Sequence, residues 1–96
     1  MEKKENHYHL RIDQTAAKAG AFEPASLELD FRNHDDVLEI VRRIQAKSLF
    51  ENEDEAAEFA IGLKLFSEVM LRHRTHPLFE ELGPAFGQFM KKLKAL

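Results

Sequence analysis

The sequence predicts an α+β fold: a two-stranded antiparallel hairpin followed by three to four helices, with the central helix buried. Three observations lead there. Two short stretches, 7–13 and 26–32, alternate strictly between apolar and polar side chains. Beyond residue 36 the apolar positions recur at spacings of three and four. The segment that follows Asn52 is apolar around most of a helical circumference. A period of two belongs to a half-buried strand and a period near 3.6 to a helix with one covered face.

In the first strand Tyr8, Leu10 and Ile12 point to one side and His7, His9, Arg11 and Asp13 to the other. The second repeats this with Leu27, Leu29 and Phe31 against Ser26, Glu28, Asp30 and Arg32. The connection over 14–25 is long for a hairpin. It holds Gly20 and Pro24, and Ala16, Ala17, Lys18 and Ala19 would fit one helical turn. An isolated two-stranded sheet is marginal, so its apolar face is expected to lie on helices. Its open edge offers itself to a second copy.

Asn33 is expected to cap the first helix, with Asp35 and Asp36 in its first turn. Val37, Ile40, Val41 and Ile44 then form the buried stripe, and the helix ends near Lys47 and Ser48. Asn52 followed by Glu55 reads as a cap with a capping-box acid. The long helix behind it carries Gly62 in its middle, which costs about 1 kcal/mol relative to Ala and points to close approach of another backbone. Arg72 and Arg74 stand near its carboxyl end. Pro77 opens a short helix bearing Leu78, Phe79 and Leu82, Gly83 is expected to end it, and Pro84 to begin the last helix. Phe86, Phe89, Met90 and Leu93 give that last helix its buried stripe.

The 96 residues suit a single α+β domain over 7–96, after a disordered N-terminal tail over 1–6. A chain this short buries only roughly 60–65% of the surface its unfolded form exposes, so it leans toward marginal stability or a partner. It has no cysteine, which argues for the cytoplasm and excludes thiolate metal sites and cysteine nucleophiles. No run reaches the ~18 apolar residues of a membrane span. The net charge of −3 argues against nucleic acid. Lys91, Lys92 and Lys94 suit the negative end of a helix dipole instead.

Five histidines are the first candidates for chemistry. His7 and His9 share one strand face at a chelating spacing, and His34 and His76 are the residues that would complete a metal or small-ligand site. Such a site needs three or four ligands converging on one point. The competing reading makes His7 and His9 part of a solvated face opposite Glu28 and Asp30. Asp35, Asp36 and the acids at 53–55 suit helix N-termini better than catalysis, although a hydrolase-like enzyme built on them is a third reading. No nucleophile elbow and no phosphate loop occurs, so an enzyme is not expected. Phe59, Phe66, Phe79, Phe86 and Phe89 fall at helical spacings and read as core, or alternatively as the lining of an apolar cleft between the last helices.

The stretches 7–13, 31–36 and 58–70, with 77–82 and 84–87, together resemble a family of small bacterial proteins of unknown function, each about this long. The resemblance spans nearly the whole chain and implies a bacterial cytosolic α+β protein. It supplies no activity, ligand or catalytic residue. The expectation for function is therefore a non-enzymatic interaction module without a cofactor, a homodimer formed through a sheet edge or an apolar helix face. A different protein partner or histidine-bound metal is the alternative.

Overall fold

The computed structural model describes residues 4–18, 23 and 25–96. The element order is β1 (Asn6–Asp13), β2 (Ser26–Asn33), α1 (Val37–Ala46), α2 (Glu53–Arg72), α3 (Pro77–Glu80) and α4 (Leu82–Ala95). This is the hairpin followed by four helices that the two periodicities predict. The chain divides into two compact units, Met1–Asp35 and Asp36–Leu96.

The first unit is the hairpin. β1 and β2 pair antiparallel with Tyr8 opposite Phe31, Leu10 opposite Leu29, and Ile12 opposite Leu27. That register puts every apolar residue of both strands on one face. Tyr8 and Phe31 stack with ring centroids 5.1 Å apart. The ladder continues into the connection, where the Gln14 N–H donates to the Ala25 carbonyl at 2.8 Å. Ala16, Ala17 and Lys18 form no helical turn. Ala19, Gly20 and Pro24, on which that turn and the bend were placed, lie outside the described residues, as do the first three residues of the expected tail.

The hairpin ends on Asn33, and here the sequence reading needs correction. Asn33 does not cap α1; it is fully buried, and its Oδ1 accepts the Asp35 N–H at 2.9 Å. The closing of this Asx turn brings the Asp35 carbonyl to the Asn6 side-chain amide at 3.1 Å and the Tyr8 hydroxyl at 3.4 Å. The cap of α1 is Asp36, whose carboxylate accepts from the Glu39 N–H at 3.1 Å. Asn and Asp compete for both roles because each offers an oxygen to backbone N–H groups two or three residues on.

The second unit is helical. Its core is Ile44 from α1, Ala56 and Ala60 from α2 and Leu93 from α4, flanked by Ile40, Val41, Leu49, Phe50, Phe59, Leu63 and Met90. Ala56 and Ala60 stand one turn apart, and their small side chains let α1 lie close against α2. Asn52 caps α2 as expected, its side chain accepting from the N–H groups of Asp54 at 2.6 Å and Glu55 at 3.3 Å. After α1 the chain turns through Ser48, which takes a left-handed φ of 53°, a conformation suited to the position just past a helix end. The last turn of α4 carries Lys92 and Lys94.

Three expectations about the helices are revised. Burial of α2 is confined to Ala56, Ala60 and Glu68, while Phe66, Val69 and Leu71 are more than a third exposed. The covering of the central helix is therefore incomplete toward its carboxyl end. Among the described residues no backbone approaches Gly62; a Cβ placed there meets nothing within 4 Å. Gly83 does not stop a helix, because α4 already begins at Leu82 and runs through Gly83 and Pro84. Proline within a first turn loses no intrahelical bond, so Pro84 is compatible with this earlier start.

Two stability predictions follow from this packing. Gly62→Ala should stabilise the protein by about 1 kcal/mol, seen as a melting temperature raised by roughly 4–8 °C. Ala60→Leu should do the opposite, because Ala60 is wholly inaccessible and overpacking such a site costs about 1–3 kcal/mol. Urea denaturation of the two variants checks both signs.

Candidate functional site

The polar face of the hairpin gathers the strongest ionic cluster among the described residues. β1 brings His9 and Arg11 there, and β2 brings Glu28 and Asp30, with His9 directly opposite Asp30 and Arg11 directly opposite Glu28. The His9 Nδ1 lies 2.7 Å from Asp30 Oδ1, and its Nε2 lies 3.1 Å from Glu28 Oε1. An imidazole between two carboxylates satisfies both only when both ring nitrogens carry protons. The hydrogen bond to Asp30, then that to Glu28, raises the His9 pKa above 6.5 against a small opposing desolvation. The Arg11 Nε donates to the Asp13 carboxylate at 3.0 Å, and its guanidinium reaches Glu28 at 3.5 Å. Arg32 stands 3.8 Å from Glu5. The face is thus a chain of cross-strand ion pairs open to solvent, where each pair is worth little singly.

The four candidate ligands are placed as follows. His7 and His9 share this face. His34 lies just beyond β2, exposed, with Nε2 3.6 Å from the Asp35 carboxylate. His76 caps α3, its Nδ1 accepting the Leu78 N–H at 3.1 Å. Both ring nitrogens of His9 and one of His76 therefore already have partners. Among the described residues no three histidines or acids form a group suited to a metal ion. Of the acids at helix starts, Asp36 caps α1, and Glu53, Asp54 and Glu55 form the exposed first turn of α2.

The aromatic residues that helical spacing assigns to a core are placed differently by the helical unit. Phe66 of α2 meets Phe79 of α3 at 6.1 Å and Phe86 of α4 at 6.0 Å, and Phe86 meets Phe89 at 5.9 Å. Rather than closing into a core, this aromatic cluster comes to the surface. Phe66 and Phe89 are each 42% exposed, Leu82 is 39% exposed and Leu78 is 72% exposed. Leu82, Phe86 and Phe89 follow one another at i, i+4 and i+7 and so share one face of α4. Spacing alone reads such a stripe as buried; only the shortness of α3 leaves it uncovered. One open depression runs along α4, lined by Ala85, Gln88, Phe89 and Lys92. It lies on one helix, not in a cleft between two. Among the described residues no helix is long and apolar enough to cross a membrane.

The His9 cluster gives a pH prediction with a definite sign. A pKa raised on folding means that the pairing contributes fully below the unfolded value near 6.5 and is lost as pH climbs through the folded value. In wild type the His9 ring resonance, followed by NMR, should titrate with a midpoint above 6.5. Asp30→Asn should bring that midpoint down. Equal midpoints in the two proteins would remove the clamp.

The comparisons with known proteins agree with the fold. No curated protein matches the chain. Its structure is similar to the crystal structure of a protein of unknown function from Pectobacterium atrosepticum, with a TM-score of 0.81 and 32% sequence identity, covering 95% of this chain and 98% of that one. The family model that matches residues 6–95 is described as a domain of unknown function with solved structure. From its aligned strands to the last turn of α4, the chain belongs to this family, DUF3861.

Proposed function

We propose that this protein is a small, non-enzymatic interaction module that associates with itself. The observation that carries the reading is the mismatch between a small core and a large exposed apolar surface. The core cluster of the helical unit is built on Ile44, Ala56, Ala60 and Leu93, while Phe66, Leu78, Leu82 and Phe89 are exposed. Phe66 and Phe89 are joined through Phe86, and large exposed apolar patches mark interaction surfaces. A chain this short also gains the most from burying more of its surface against a partner. A second copy is the simplest partner, because closed two-fold pairs dominate among soluble oligomers.

The cysteine-free composition and a structural neighbour of bacterial origin support placing this module in the bacterial cytoplasm. Metal binding finds less support, since the ring nitrogens of His9 are engaged by Asp30 and Glu28.

Sedimentation equilibrium over a wide concentration range tests the proposal. The expected apparent mass rises above the monomer's 11.1 kDa toward twice that value. A strict monomer at the highest concentration would overturn self-association.

A further inference from the structure

We infer that the second copy docks on the exposed aromatic face around α3, related by a two-fold axis close to Leu78, so that Arg74 of each copy meets Glu80 and Glu81 of the other. This rests on the self-association proposed above and names its surface. Leu78 is the most exposed of the large apolar side chains. It stands between two opposite charges: Arg74 lies in the turn entering α3, and Glu80 and Glu81 lie where α3 passes into α4. All three are exposed, and among the described residues none of them has an ion-pair partner.

A two-fold axis matches residue i of one copy with residue j of the other, and j with i. Laid antiparallel about Leu78, the segment around α3 would set Arg74 against the acidic pair twice. The same placement would cover Leu82 and the Phe66–Phe86–Phe89 cluster from both sides. The four exposed side chains present on the order of 300–400 Å² of apolar surface per copy. With the charged margin included, the contact reaches the roughly 1,000 Å² in total that a specific interface requires. Apolar centre and ionic rim are also the arrangement that such interfaces show.

The test uses full-length protein and two charge-reversed variants, Arg74→Glu and the double variant Glu80→Lys with Glu81→Lys. All the changed side chains are exposed, so the circular dichroism spectra should match wild type and show the fold kept. Sedimentation is expected to show each variant alone weakened roughly tenfold or more in self-association, because like charges then face each other across the axis. Mixing the two variants in equal amounts should restore dimers, since every cross-pair is then again of opposite sign. Leu78→Asp should dissociate the dimer and no mixture should rescue it. If wild type is a dimer that the charge variants leave unchanged, while Ile12→Asp with Leu27→Asp breaks it, this surface is wrong and self-association stands. A monomeric wild type overturns both.

Discussion

The close contact of α1 with α2 at Ala56 and Ala60 is the constraint on which the helical unit is built. Ile44 of α1 and Leu93 of α4 are buried in one cluster with these two small side chains. The core that results is compact but short of large side chains. Burying a Val, Leu or Ile contributes about 1.5–3 kcal/mol, whereas ordering each residue's backbone costs about 1–2 kcal/mol. Among the described residues, Val37, Ile44 and Leu93 are the large aliphatic residues that are buried. Part of the apolar surface of the helical unit accordingly stays exposed, with Phe66 of α2 and Phe89 of α4 among it.

Much of this architecture was legible in the sequence, and the reasons are local. The alternation of Tyr8, Leu10 and Ile12 with His7, His9 and Arg11 defines a strand whatever surrounds it. Asn52 ahead of three acids defines a helix start in the same way, and the observed bonds to Asp54 and Glu55 are those the spacing demands. Where two residues of similar chemistry competed, sequence was silent. Asn33 and Asp36 are both good caps, and what separates them is the burial of Asn33 at the end of β2. That burial arises from contacts made only in the folded chain.

Burial itself was the least legible quantity. Phe66 and Phe89 lie at positions that helical periodicity assigns to a core. Whether such a stripe is covered depends on the length and placement of the element opposite, and α3 has four residues. Gly62 misled for a related reason: glycine inside a helix signals a close neighbour only if a neighbour exists, and among the described residues none does. The histidines of β1 were more legible: the alternation of both strands set His7 and His9 on a face opposite Glu28 and Asp30, and the bonds of His9 are to those two residues.

The charge pattern of the hairpin bears on how its open edges would meet another strand. β1 carries His7, His9, Arg11 and Asp13 along its polar face, and β2 carries Ser26, Glu28, Asp30 and Arg32. A two-fold pairing of β1 with itself, centred on His9, would set His7 opposite Arg11, and one of β2 centred on Leu29 would set Glu28 opposite Asp30. Like charges directly across a ladder are destabilising. Pairing β1 of one copy with β2 of the next would match the charges, but that contact is heterologous and continues into an open chain of subunits. The ion pairs of this face are moreover already made within the hairpin. Centred in these registers, symmetric strand pairing gains nothing from charge, whereas Arg74, Glu80 and Glu81 of the helical unit have no ion-pair partner among the described residues.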